Sequence, residues 1–126
     1  MATIPSPAAG HPPPGFHLRQ NYLLSVVGAS LEQILPYEPQ RIMWAIFNLH
    51  ATQSLYLGWD DEVTATRCVY VGPAGASAIV LAREDGILSA LPVNALASGA
   101  GTEVYTLEVI ADEPIDFLQI MLGTHP

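Results

Sequence analysis

The stretch Arg41-Ile42-Met43-Trp44-Ala45-Ile46-Phe47-Asn48-Leu49-His50-Ala51-Thr52-Gln53-Ser54-Leu55-Tyr56-Leu57-Gly58-Trp59 contains no Asp, Glu, Lys or Arg after Arg41. By length alone, residues 42–59 approach the roughly 20 apolar residues that carry a helix across a bilayer. The middle of the run argues against it, because Asn48, His50, Thr52, Gln53 and Ser54 would lie at bilayer depth. Two strands joined by a polar turn account for the same residues directly. The first, Arg41 to Leu49, sets Ile42, Trp44 and Ile46 on one face and Met43, Ala45, Phe47 and Leu49 on the other. Both faces are apolar, so this strand is expected either at the centre of a sheet under a second layer or against another subunit.

The same punctuation continues in both directions. Short apolar runs broken by turn residues at intervals of about ten predict strands at Asn21 to Val27, Leu31 to Leu35, Arg41 to Leu49, Ser54 to Trp59, Arg67 to Val71, Ser77 to Ala82, Ile87 to Leu91, Val93 to Ala97 and Glu103 to Ala111. This is the pattern of an all-β chain: a small antiparallel β-sandwich, jelly-roll-like, over residues 21–126. Hairpins are expected at Glu84-Asp85-Gly86 and at Ser98-Gly99-Ala100-Gly101. Glu103 to Ala111 reads as a half-exposed strand with Tyr105, Leu107, Val109 and Ala111 on one face and Val104, Thr106, Glu108 and Ile110 on the other. The segment 114–122 suits a short helix or a last strand, with a lean to the strand.

Five of the eleven prolines lie within the first 14 residues, and apart from His11 and His17 no acidic or basic side chain precedes Arg19. Such a stretch cannot be a helix or a central strand, so residues 1–20 are expected to form an extended arm. Ile4, Phe16, Leu18 and Arg19 are its candidate partner-binding residues; the alternative is a floppy tail.

Composition narrows the function classes. The 126 residues include 12 acidic and 4 basic side chains, a formal net charge of -8, and no lysine. That excludes Schiff-base and PLP chemistry and argues against a nucleic-acid partner. Charged residues make up 13% of the chain, about half the usual share. The expectation is that copies of the chain, or a larger assembly, cover apolar surface. A single cysteine, Cys68, leaves no intramolecular disulfide. The N-terminal stretch has no positive region followed by an apolar one, and no Asn-x-Ser/Thr site occurs; both point to assembly in a reducing cytoplasm rather than secretion.

Ile34-Leu35-Pro36-Tyr37-Glu38-Pro39-Gln40-Arg41, a strand closing on Asn48, and then Ser54-Leu55-Tyr56-Leu57-Gly58 together resemble a layout found in small tailed-bacteriophage virion proteins. The shared layout is a Leu-Pro-x-x-Pro-x-Arg turn, an apolar strand ending in Asn, a short Leu-Tyr-Leu strand and a later Gly hairpin, covering roughly residues 30–111. The resemblance implies a β-sandwich on the phage particle, usually a trimer, that decorates or cements capsid subunits. Its partners would be copies of itself and the major capsid protein or another virion protein, with no membrane, and its place would be the virion. A neck, tail or fibre-base position is an alternative, and a carbohydrate-binding module is another. The arm and the residues after Ala111 lie outside the shared layout.

The remaining candidates read as structural. Pro36, Pro39 and Arg41 are assigned to the turn, Arg41 tying it to a carboxylate or to backbone carbonyls. Asp60-Asp61-Glu62 lacks the alternate spacing and central glycine of a calcium loop. His11, His17, His50 and His125 include no His-x-His pair, and His50 is expected as a turn residue. Gly72-Pro73-Ala74-Gly75-Ala76-Ser77 lacks the Lys-Ser/Thr of a phosphate loop, and Cys68 is expected as a packing thiol. No catalytic residue, cofactor or metal is assigned. Trp44, Trp59, Tyr37, Tyr56 and Tyr70 are expected in the core or an interface; exposure of Trp59 or Tyr37 would favour glycan stacking instead.

Overall fold

The computed structural model describes residues 18–112. Eight strands alternate with short connections: β1 (Leu18–Val27), β2 (Glu32–Leu35), β3 (Arg41–Asn48), β4 (Leu55–Gly58), β5 (Val69–Val71), β6 (Ser77–Leu81), β7 (Val93–Ala97) and β8 (Thr102–Ala111). A one-turn helix, α1 (Ala82–Asp85), runs into a 3₁₀ turn at Gly86–Ser89 between β6 and β7.

The antiparallel pairs β1–β8, β2–β7, β3–β6 and β4–β5 are those of one long hairpin folded on itself. Rolling that hairpin brings β3 against β8 and β4 against β7. The result is two four-stranded sheets, β1-β8-β3-β6 (sheet A) and β2-β7-β4-β5 (sheet B). It is an all-β jelly-roll sandwich, the fold class expected from the sequence. Between the sheets lie Val27, Leu35, Trp44, Ile46, Leu55, Leu57, Val71, Val80, Val93, Ala95, Ala97 and Val104. Val27, Trp44, Ile46, Leu55, Val93 and Val104 have no exposed surface at all.

The rolled topology corrects both expected hairpins. In a jelly roll only the innermost pair of consecutive strands, here β4–β5, is joined within one sheet. Ser98-Gly99-Ala100-Gly101 therefore carries the chain from sheet B to sheet A. Glu84-Asp85-Gly86 is no hairpin either, and Ile87 to Leu91 is no strand: Gly86, at φ 62°, ends α1 and starts the 3₁₀ turn. The Asp-Gly pair does supply a positive φ, but for a helical crossover. The predicted Arg67 to Val71 strand is cut to Val69–Val71, with Arg67 engaged in an isolated bridge to Thr64.

Leu18, the first described residue, is already in β1, so a boundary at residue 20 falls inside this strand. Leu18 and Arg19 pair with Ala111 and Ile110. Arg19 and Gln20 interrupt the apolar pattern that would have marked the start. Ile4, Phe16 and the segment 114–122 lie outside the described residues. No helix among the described residues is long and apolar enough to cross a membrane.

Candidate interaction surface

Directly opposed residues of paired strands share a face, so the register sorts the paired side chains of sheet A into an inner and an outer set, Leu23 being on the inner side yet 54% exposed. The outward set is Leu18, Gln20, Tyr22, Leu24 and Val26 from β1, Glu103, Tyr105, Leu107, Val109 and Ala111 from β8, Met43, Ala45 and Phe47 from β3, and Ser77, Ile79 and Leu81 from β6. Glu103 is its one charge. Tyr22 and Tyr105 stack with ring centres 6.2 Å apart, and Phe47 lies 6.0 Å from Tyr105. Tyr22 and Leu24 are each 58% exposed, Val26 60% and Ile79 54%, so no second layer covers them among the described residues.

Four strands about 4.8 Å apart and five to ten residues long make a face of roughly 500 Å². Monomers rarely expose apolar patches larger than a few hundred Å². The two-sided strand anticipated from Arg41 to Leu49 is β3: Trp44 and Ile46 enter the core while Met43 and Phe47, both half-buried, line the outer face around Ala45, which its neighbours cover. β8 turns its apolar side outward, with Tyr105 and Leu107, and buries Thr102 and Thr106 beside Val104. Its alternation is clear in the sequence, but the apolar side is not the core side.

Sheet B presents a different exterior. Gln33, Asn94, Tyr56, Leu96 and Tyr70 point outward there. Tyr56 and Tyr70 stand 6.1 Å apart and the Tyr70 hydroxyl is 2.9 Å from Ser54 Oγ.

Arg41 sits at one end of the sandwich, fully buried. A register shift between Arg41 and Met43 places it opposite Ile110, on the inner side of β3. Its Nε donates to Ser89 O at 3.0 Å, its Nη1 and Nη2 to Pro36 O at 2.9 and 2.7 Å, and Nη2 also to Leu91 O at 3.4 Å. Nη1 further meets Glu108 Oε1 at 3.3 Å. One side chain thus joins the β2–β3 turn, the β6–β7 crossover and β8. Burial lowers the guanidinium's pKa, and the carboxylates of Glu108 and Glu38 act against that shift. Pro36 contributes its carbonyl; Pro39, exposed, precedes the point where Gln40 exchanges hydrogen bonds with Ala111.

At the far end of β3, buried Asn48 donates to Gln53 O and Val71 O and accepts from His50 N. His50 Nδ1 accepts from the backbone N–H of Thr52 and of Gln53. Pro36, Arg41 and Asn48 thus tie turns in space.

The acidic run meets a cation of its own. Arg67 donates to both Asp60 oxygens, at 2.9 and 2.8 Å, and holds the Asp60 carboxyl at about 2. With Gly58, Trp59, Val63 and Cys68 this turn borders a shallow, open depression of about 310 Å³. Among the described residues, no cluster of three or more histidine, cysteine or acidic side chains could hold a metal ion. Trp59 is half-buried, lies 6.4 Å from Trp44 and donates its indole N–H to Leu88 O. Tyr37 is exposed but has no aromatic partner among the described residues. The loop Gly72 to Ala76 carries the chain from β5 in sheet B to β6 in sheet A.

No protein-family model matches the sequence, and no curated protein matches it. Among solved structures the chain is similar to one described as "Bacillus endospore appendages form a novel family of disulfide-linked pili", at 14% identity and a TM-score of 0.47, over 80% of this chain and 89% of that one.

Proposed function

We propose that this chain is a non-enzymatic structural subunit that assembles with copies of itself, and that its setting is the virion of a tailed bacteriophage, where it decorates or cements the capsid. The outer face of sheet A, where Glu103 is the single charge, carries the reading. A subunit of this kind draws its affinity from apolar area rather than from a pocket, and in this chain the apolar area lies on a sheet face. The net charge of -8 without lysine suits a partner that is protein rather than nucleic acid. The phage setting rests on the layout from Ile34 to Gly58, and so does the trimer as stoichiometry.

Light scattering of the full chain at micromolar concentration should report a multiple of 13.5 kDa. Ile79→Glu, on the outer face of sheet A, should shift the mass towards the monomer, while Tyr70→Glu, on sheet B, should not. A monomeric wild-type chain overturns the assembly. Peptides of this chain should be found in virions banded from a lysate of the source culture, in numbers comparable to the major capsid protein. Their absence overturns the phage setting alone.

A carbohydrate-binding reading has two features in its favour, the exposed Tyr37 ring and the Tyr56–Tyr70 pair on sheet B, where the Ser54 hydroxyl lies 2.9 Å from that of Tyr70. Retention on an insoluble polysaccharide column, lost in Tyr70→Ala, would move the assignment to that reading.

A further inference from the structure

A sheet of this kind has two edges, and proteins blunt them with short strands, bulges, inward charges or a covering element. Three of the four edges here are treated in this way. β2 is four residues long, begins with Glu32 and is bulged; β5 is three residues long; β6 is five residues long and passes straight into α1. β1 is the exception. It runs for ten residues, its register with β8 is unbroken from Leu18 to Val27, and it contains no proline or glycine and one charge, Arg19. No strand pairs with its outer edge among the described residues.

We infer that β1 is a docking edge for β1 of a second copy, the two strands pairing antiparallel across a two-fold axis so that two four-stranded sheets become one of eight. The inference rests on the assembly reading for the identity of the partner, adds the edge and the register, and sets a two-fold in place of the threefold that the phage-like layout implies. A two-fold pairing is self-complementary by construction. Opposed residues must share a face, so the sum of paired residue numbers is even. Two sums leave a single residue of β1 unpaired: 44, which places Tyr22 on the axis, and 46, which places Leu23 there. In the first, Leu18 meets Val26, Gln20 meets Leu24 and Arg19 meets Ser25; in the second, Gln20 meets Val26, Tyr22 meets Leu24 and Arg19 meets Val27. Neither sets like charges opposite each other. Both continue the outer face of sheet A across the axis as one surface of roughly 1,000 Å².

The test is cysteine cross-linking of the full chain in a Cys68→Ala background. Opposed Cα atoms in an antiparallel pair lie about 4.5–5.5 Å apart, within disulfide reach. Tyr22 and Leu23 are both more than half exposed, so the fold tolerates either change. Under mild oxidation, either Tyr22→Cys or Leu23→Cys should convert more than half of the chains to a species of twice 13.5 kDa on a non-reducing gel. Val26→Cys should convert less than about a tenth, because its symmetry mate would lie ~20 Å or more away along the strand. Linking at position 22 or 23 with Val26→Cys silent supports the pairing and reads out its register. An oligomer by light scattering with no linking at either position, including a trimer held by sheet faces alone, overturns the edge pairing while leaving the assembly reading intact. Equal linking at all three positions indicates random collision and overturns it as well.

Discussion

Arg41 and Arg67 each hold a carboxylate, and the molecule uses them in opposite ways. Arg41 is fully buried and meets Glu108 at 3.3 Å, yet most of its hydrogen bonds go to the carbonyls of Pro36, Ser89 and Leu91. Arg67 has the better ion-pair geometry, two bonds of 2.8 and 2.9 Å to Asp60, but its side chain is 56% exposed. Water screens the second pair and would solvate its members if they parted. Water does not reach Arg41 and reaches Glu108 only at its 17% exposed side chain, so removing Arg41 would leave the carbonyls of Pro36, Ser89 and Leu91 without their donor beside a half-buried carboxylate. Burial, rather than bond length, decides what each arginine is worth.

The largest expected effect follows from that contrast. Arg41→Ala should destabilise the fold by about 3 to 5 kcal/mol, the range for breaking a buried pair by removing one partner. Urea denaturation of the variant measures it, and a loss below about 1 kcal/mol would show that the end of the sandwich closes without the guanidinium. Because Arg41 joins the turn, the crossover and β8, the same variant should also weaken any assembly built on sheet A.

Smaller by design are two changes that leave Arg41 in place. Ser89 Oγ donates to Arg41 O at 3.1 Å and lies 3.0 Å from Gly86 O. Ser89→Ala removes that hydroxyl from a fully buried position and should lower stability by about 1 to 2 kcal/mol in the same denaturation experiment. Glu108→Gln keeps an acceptor near Nη1 while discarding the charge, and should cost less than Arg41→Ala by at least twofold. Equal losses would mean that the ion pair, rather than the carbonyl contacts, carries the site.

How much of this was legible in the sequence differs from element to element. The alternation of β3 and β8, the polar turn around Asn48 and the all-β class follow from spacing that any half-buried strand imposes. The spacing from Pro36 to Arg41 marked a turn. It did not mark Arg41 as a buried group shared with Ser89 and Leu91, since those contacts join residues about fifty positions apart and exist only once the long hairpin has rolled. The bulge that turns Arg41 inward has no local signature either. Asp85-Gly86 carried a real positive-φ signal, but that signal does not distinguish a hairpin from a crossover. β8 is the more instructive case: its apolar side is the outer side. A period-2 pattern separates two faces without saying which meets the core when the other meets a partner.

At the exposed arginine, Arg67→Ala should leave the melting temperature at neutral pH unchanged within measurement error, because both members of the pair stay hydrated when apart. Its effect should instead appear in a titration. The Asp60 carboxyl is held at about 2 against an ordinary 3.8, first by its hydrogen bonds from Arg67 and then by the backbone N–H of Glu62. A carboxylate whose folded pKa is depressed favours the folded state above its unfolded pKa and loses that contribution as pH falls through the folded one. The window here therefore runs from about 3.8 down to about 2, and nothing in this pair responds between pH 5 and 8. Carbon-detected NMR of the Asp60 side chain should give a midpoint near 2 in the wild type and a clear rise towards 3.8 in Arg67→Ala, with the Glu62 N–H contact preventing a full return. A midpoint that does not move would assign the depression to the turn backbone alone, and would leave Arg67 with no electrostatic part in holding the loop from Asp60 to Cys68.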